Sequence, residues 1–308
     1  MPDLAPFAHS AAHSTAHSAA HSAAPILDGL GFPEALRWRE GALWFSDMFR
    51  GRVVRWQPDA PGSPAVTILD TAGGGPTVPG GLGWLPDDSL LVVDCTKRRV
   101  LRVQAGAGAI SVHADLSGVM THSANDMHVD LDGTAWVGGY GFNPELDAPV
   151  SSPLMRIASD GTLSTTASTF IFPNGCERES RGALLVAETF ADCVSSLSHD
   201  NKLTQRSRLP AGSGPDGLSI APSGEVYVAL AFAGALARLA PAGSAPDASV
   251  DIVYLPEPIA TGPGAGPLGV YDCAVHPDGR RIAIAMASLD EPLAERVNTG
   301  RIVIFNLF

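Results

Sequence analysis

Four oxygen-bearing side chains recur at one place in a repeated pattern, and their types point to a hard cation. They are Glu34 in GFPEALRW, Asn125 in HSANDMHVD, Asn174 in FPNGCE and Asp216 in GPDGLSIAP. They precede the apolar anchors Trp44, Trp136, Leu185 and Val226 by 10, 11, 11 and 10 residues respectively. Singly, each has a structural explanation. Asn-Gly and Asp-Gly are common turn pairs, Asn-Asp can cap a loop, and Glu34 after Pro33 suits a solvated surface. Four in register predict a functional cluster on one rim. Carboxylate and amide oxygens, without thiol or imidazole, suit a hard divalent cation completed by water. Glu34 and Asp216 together balance its charge, and Asn174 adds a carbonyl oxygen without repulsion. Calcium is the first expectation, and so open a site also admits magnesium, manganese or zinc. A purely structural axial ion is the alternative.

Those residues need a scaffold that brings the starts of separate strands to one axis. The chain repeats a phrase that does so: a polar turn with Gly, a short apolar strand, then a second strand. It reads REGALWFSDMFRGRVVRW from Arg39, PDDSLLVVDCTKRRVLRV from Pro86 and LDGTAWVGGY from Leu131. It returns as ESRGALLVAETFADCVSSL from Glu179, PSGEVYVALAFAGALARL from Pro222 and PDGRRIAIAMAS from Pro277, closed by GRIVIF from Gly300. Aligning Trp44, Leu91, Trp136, Leu185, Val226 and Ile282 gives spacings of about 47, 45, 49, 41 and 56 residues. Periods of roughly 40–50 residues with several short strands each are the signature of a β-propeller. The expected fold is therefore all-β, a six-bladed β-propeller with an axial metal site, and residues 25–308 read as a single domain. Asp272, in GVYDCAVHPDG, lies ten residues before Ile282 at the matching position of the last blade. Ring closure needs a seam, and the sequence leaves open whether the segment near Ile26 and Leu27 supplies it. No amphipathic helix is predicted.

Bulk composition narrows the function classes. Charged residues are 17% of the 308, with 33 Gly and 25 Pro, which suits tightly turned strands. A net charge of −12 argues against nucleic acid or an anionic membrane as partner. No apolar run approaches the roughly 18–20 residues of a membrane span. Cys95, Cys176, Cys193 and Cys273 lack metal-type spacing and read as free thiols of a reducing cytoplasm, with a Cys176–Cys193 disulfide as alternative. Residues 1–24 are an Ala/His/Ser tail with His9, His13, His17 and His21 on a four-residue beat. It is read as disordered and lacks the basic start and apolar run of a secretory signal. A cytoplasmic location is the expectation.

Over residues 27–308 the chain resembles the family of senescence marker protein 30, gluconolactonases and luciferin-regenerating enzymes. The pieces that carry the likeness are FPEALRW, NDMHVDLDGTAWVGG, FPNG and PDGLSIAPSGEVYVA, in that order and spacing. The resemblance implies a six-bladed propeller with one divalent metal in its axial channel, and hydrolysis of a lactone to a hydroxy acid. It implies that Glu34, Asn174 and Asp216 ligate the metal, that Asn125 holds substrate or water beside it, and that Asp216 doubles as general base. The implied mechanism is metal-assisted attack of water on the lactone carbonyl. Nucleophilic serine chemistry is not indicated, since no G-x-S-x-G elbow is present.

The chain departs from the sugar-lactone pattern in an informative way. Ser123 stands where such members carry an Arg, and Tyr140 and Phe142 occupy a run where a polar contact is common. With Phe172 before the Asn174 turn, and Met48–Phe49 in the first blade's outgoing turn, this predicts a pocket for an apolar or aromatic lactone. Packing between blades is the structural alternative for these rings. Candidate substrate contacts are Asn125, Ser123, Tyr140, Phe142, Phe172 and Asp272. His122 and His128 flank Asn125 as acid–base groups or as plain hydrogen-bonded histidines. Asp126 pairs with backbone or approaches the metal through water. Glu188 reads as a satisfier of backbone groups, and the stretch from Pro256 to Pro267 as a lid or an interblade link. Aryl-ester or phosphotriester hydrolysis at the same site is the alternative reaction. A non-catalytic propeller binding ligand or protein is the alternative class, and oligomeric state is left open.

Overall fold

The structure, a computed structural model, describes residues 26–60, 62–243, 250–262 and 264–307. The histidine-rich tail lies outside the described residues. Strand β1 (Ile26–Leu30) precedes the first blade, β2 (Pro33–Arg39), β3 (Ala42–Asp47), β4 (Arg52–Trp56) and β5 (Val66–Asp70). Blade two is β6 (Pro79–Trp84), β7 (Leu90–Asp94), β8 (Arg99–Val103) and β9 (Ile110–Asp115). Blade three is β10 (Ala124–Val129), β11 (Ala135–Gly139), β12 (Ser152–Ile157) and β13 (Leu163–Phe170). Blade four is β14 (Pro173–Arg178), β15 (Leu184–Glu188), β16 (Cys193–Leu197) and β17 (Leu203–Arg208). Blade five is β18 (Pro215–Ile220), β19 (Val226–Leu230), β20 (Ala235–Leu239) and β21 (Asp251–Tyr254). Blade six contains β22 (Leu268–Val275), β23 (Arg281–Ser288) and β24 (Gly300–Asn306), with helix α1 (Glu291–Arg296) between the last two.

Each blade is a four-stranded antiparallel sheet, and β1 supplies the outermost strand of blade six by pairing Leu27 with Ile302. The seam left open by the sequence is thus made by the described N-terminal segment. All six anchors fall in the second strand of their blades. The turns into those strands demand left-handed backbone, met for example by Gly133 (φ 85°) and Gly224 (φ 89°). The innermost strands β2, β6, β10, β14, β18 and β22 pack in succession around one axis.

Both faces of every blade are apolar, so no blade can bury itself alone. Six apolar clusters fill the six interblade seams, such as Val53 and Leu69 against Leu82 and Val92, or Leu154 and Phe170 against Leu184 and Val186. A seventh, built on Phe32, Tyr271, Ala287 and Ala294, caps one end of the channel.

One expectation is revised, and two alternatives are decided or narrowed. A helix is present: Asp290 caps α1 by accepting from Leu293 N at 3.0 Å, and Pro292 stands in its first turn. All four cysteines are free and buried, as their first reading expects, so the alternative Cys176–Cys193 disulfide is not formed. The 256–267 stretch links blades five and six and folds on itself through an Ile259–Gly266 bridge, with Gly264 beside Thr299. Among the described residues, no helix is long and apolar enough to cross a membrane.

Candidate active site

Strand register shows how the candidate residues meet. Glu34, Asn125, Asn174 and Asp216 are each the second residue of an innermost strand. A register shift follows at once in each case, and also in blade two after Pro79. Such bulges re-aim side chains. At Glu34 the next residue, Ala35, is driven to φ 53°, a left-handed conformation that costs about 1–2 kcal/mol. Counting back from the paired residues, Gly80 is the equivalent in blade two and Asp272 in blade six. Five side chains and one glycine therefore form the ring. Innermost strands approach closely at the following position: a Cβ on Gly217 would collide with the Asp272 carboxylate.

The ring is largely buried and acidic. Glu34 (8% exposed), Asp216 (6%) and Asp272 (1%) are buried, as are Asn174 (2%) and the neighbouring Asp126 (7%). Among the described residues one cation answers two of these acids. Arg37 donates to Asp126 Oδ1 at 3.0 Å and approaches Asp272 Oδ2 to 3.8 Å. Asp272 also accepts from the backbone N–H groups of Leu36 (2.5 Å) and Cys273 (2.7 Å). Burial nevertheless pushes its pKa up to about 7, Arg37 opposing and Asp126 adding. Its oxygens are thus engaged within the ring's base.

Glu34 and Asp216 are different. No salt bridge reaches either among the described residues, and Asp216 Oδ1 has no hydrogen-bond partner. Burial, then the charges of Asp216, Asp272 and Asp126, raises the pKa of Glu34 well above the carboxylate range. Burial, then Asp272, Asp126 and Glu291, does the same to Asp216. Other buried acids here are satisfied. Asp47 accepts from Gly31 N, Phe32 N and Arg52, while Glu188 accepts from Ile171 N at 2.7 Å. Leaving a buried charge unpaired is costly, so the Glu34–Asp216 pair fits a divalent cation. An axial metal centre is not itself shown. Among the described residues, no group of three or more His, Cys, Asp or Glu is arranged to hold one. The expected third ligand is an amide.

That amide is held in place. Asn174 Nδ2 donates to Thr189 Oγ1 at 3.3 Å, and Asn125 Nδ2 donates to Asn174 Oδ1 at 2.9 Å. The two asparagines are thus brought together, with Asn125 half-buried on the channel side.

Above the ring lies an aromatic belt. Tyr140 stacks on Phe172 (3.7 Å, 12°), and Phe172 and Phe142 both meet Phe190, which continues to Phe232. Phe32 meets Tyr271 at 4.3 Å and Phe49 at 4.8 Å. Phe142 and Phe172 are buried within this belt, whereas Tyr140 is partly open. Burial first, then Glu291, Asp216, Cys95 and Glu34, raises the pKa of the Tyr140 phenol. Ser123 and His122 line a cleft of about 500 Å³ with Tyr140, Arg98 and Glu145. Phe190, Phe232, Tyr271 and Phe32 escaped the sequence reading. A signal existed: Phe49, Phe142, Phe190 and Phe232 all stand five or six residues after their blade anchors.

His128 belongs elsewhere. It contacts Asp130 Oδ1 at 3.1 Å near the opposite end of the channel. A cavity of about 450 Å³ opens there, lined by Arg37, Trp38, Trp84, His128 and Glu177, and it includes none of the four candidate residues. Of the flanking residues, Asp126 is paired with Arg37 as described.

Comparison with known proteins agrees with this architecture. The profile of the SMP-30/gluconolactonase/LRE-like region matches residues 32–263. No curated protein matches the sequence. Among solved structures, a luciferin-regenerating enzyme is similar at 17% identity and TM-score 0.71, covering 91% of this chain and 93% of its own. Regucalcin of Agrobacterium tumefaciens, described as a calcium-binding protein, is similar at 15% identity and TM-score 0.69, covering 92% and 94%. A gluconolactonase of Xanthomonas campestris is similar at 18% identity and TM-score 0.65, covering 92% and 89%. Identities this low speak for the fold, while the profile spans most of the propeller. On that ground the chain belongs to the SMP-30/gluconolactonase/LRE-like family.

Proposed function

We propose that the protein is a divalent-metal-dependent lactone hydrolase that opens an apolar or aromatic lactone to a hydroxy acid. The observation that carries this reading is the charge imbalance of the ring: among the described residues Arg37 answers Asp126 and Asp272, no cation pairs with Glu34 or Asp216, and Asp216 Oδ1 has no hydrogen-bond partner. Glu34, Asp216 and the Asn174 amide oxygen would hold the cation, calcium first, with zinc, manganese or magnesium as alternatives. When bound, it supplies Lewis-acid polarisation of the lactone carbonyl and stabilises developing negative charge.

The chain's own groups do the rest. Asp216 takes the proton of the attacking water, which its unpartnered Oδ1 is free to accept. Asn125 orients the substrate from the ring's open side, its amide fixed by the bond to Asn174. The Tyr140–Phe172 stack and the belt beyond it exclude water and offer aromatic faces to an apolar ring. Regucalcin's description as calcium-binding and the family's gluconolactonase members support the metal and the lactone in turn.

The test is hydrolysis of a lactone panel, from gluconolactone through aliphatic γ- and δ-lactones to dihydrocoumarin, followed by pH indicator. Chelated enzyme is compared with calcium-, manganese- or zinc-reloaded enzyme and with Asp216→Asn. Metal should restore turnover, Asp216→Asn should lose it by at least about a hundredfold, and dihydrocoumarin should outrank gluconolactone. Absence of turnover on every lactone despite stoichiometric metal would overturn the reading. Aryl esters and phosphotriesters, run alongside, reveal whether the same site serves another electrophile.

A further inference from the structure

The other end of the channel carries a second set of side chains in matching register. Three residues beyond the ring members Glu34, Gly80, Asn125, Asn174, Asp216 and Asp272 stand Arg37, Gly83, His128, Glu177, Ser219 and Val275. All six line the cavity of about 450 Å³. In a regular strand a step of three turns a side chain to the opposite face. In blades one to five the register shift turns it back toward the axis. Three steps along a strand span on the order of 10 Å. Arg37 stands between the two sets, since it lines the cavity and also bonds Asp126 and the Met127 carbonyl.

The cavity's charges single out one acid. Arg37 answers Asp126, Arg39 answers Asp88, and Asp130 accepts from Arg178 and His128 Nε2. Glu177 accepts from Ile220 N at 2.8 Å, yet among the described residues no cation pairs with it. The amide fixes its carboxylate without neutralising it, and burial raises its pKa against that bond, His128 and Arg37. Much of the remaining wall is apolar: Leu36, Leu82, Leu218 and the indoles of Trp38 and Trp84. Trp38 is fixed by donating Nε1–H to the Ala274 carbonyl at 3.0 Å, and Trp84 by its edge contact with Trp44 at 5.4 Å. An apolar cavity of this size with few polar groups suits a small organic molecule, and an unanswered buried carboxylate calls for a cation. We propose that this end of the channel is a second binding site, for a small hydrophobic amine. Its ammonium meets Glu177, and its hydrocarbon body lies against Trp38 and Trp84. The site stands whether or not the ring hydrolyses lactones.

The probes are 2-phenylethylamine and its uncharged and anionic counterparts, 2-phenylethanol and 3-phenylpropanoate. Each is titrated by calorimetry into calcium-loaded full-length protein at neutral pH. Tryptophan fluorescence follows the same titration, because Trp38 and Trp84 line the cavity. The amine should bind at least about tenfold tighter than the alcohol, and the acid should not bind. Glu177→Gln should weaken the amine by about tenfold and leave the alcohol unchanged, a contrast that general loss of structure would not give. Asp216→Asn, in the ring, should bind the amine as wild type does. Crystals soaked with 2-(4-bromophenyl)ethylamine should show the bromine beside Trp38 and Trp84. Equal affinity for amine and alcohol, or an unchanged amine affinity in Glu177→Gln, overturns the site. Amine binding lost in Asp216→Asn, or bromine found at the ring, assigns the amine to Glu34 and Asp216 and overturns it too. So does an absence of amine binding at millimolar concentration.

Discussion

Asp216 sits at the centre of an electrostatic conflict that should be visible in the metal-free protein. Its pKa and that of Glu34 are raised above their unfolded values of about 3.9 and 4.3. The native state therefore holds protons that the unfolded state releases, and stability must fall as pH rises through that interval. Asp272, pushed up to about 7, acts in the same direction. We expect the Tm of chelated wild type to drop between about pH 5 and 8. Asp216→Asn should drop less and be the more stable at pH 8, because it removes a buried charge and its repulsion of Glu34. His113, whose pKa burial lowers, works the opposite way near neutrality but equally in both proteins. Added metal should raise the wild-type Tm and leave Asp216→Asn unmoved. Thermal unfolding with chelator decides it, and a chelated wild type that gains stability over this range contradicts the account. Asp216 was legible because its distance from an apolar anchor is a one-dimensional fact. Arg37 was not, since its meaning depends on Asp126, a contact 89 residues away.

Among the elements, the close approach of innermost strands carries a sharp expectation. A side chain on Gly217 would strike the Asp272 carboxylate and come within 2.7 Å of its Cα. Gly217→Ala should cost about 2–3 kcal/mol and disturb the ring beneath it, read as a lower Tm with weakened metal binding. Equal metal affinity in the variant would separate strand packing from the site. At the opposite end Asp130 braces two blades: His128, Trp136 and Arg178 all donate to it. Burial would raise its pKa, but those bonds outweigh burial and hold it well below the usual range. Its contribution is therefore present above the unfolded value near 4 and fades as pH falls further. Asp130→Asn should lower stability by about 2 kcal/mol at pH 7, with the gap to wild type closing below about pH 4. A gap that persists at pH 2 would mean packing, not charge, makes the brace. The strands behind these effects were legible from period and turn chemistry. Helix α1 was not, because its six residues are too short for a periodic signal. Asp290 followed by Glu291–Pro292 was the only cue, a cap with proline in the first turn.

At the scale of the whole molecule, stability depends on closing the ring, since every blade face is buried only by a neighbour. The closing strand was the least legible part of the fold. Ile26–Leu30 is five residues with Asp28 and Gly29 inside it, and its partner β24 lies at the other end of the chain. Nothing local distinguishes such a segment from a loop; only the unpaired edge of β24 calls for it. The seam buries Leu30 among Leu36, Phe45 and Ile302, worth about 1.5–3 kcal/mol for that side chain alone, and it adds a ladder of backbone bonds. A chain beginning at Ile26 should unfold in one cooperative transition, as one domain. A chain beginning at Gly31 keeps all the ring residues but leaves β24 open along the edge that β1 covered. Its Tm should fall by about 10 °C, and it should associate through that edge at higher concentration. Coincident melting curves for the two chains would show that the ring holds without its seam. Two separate transitions in the longer chain would show instead that the blades do not act as one unit.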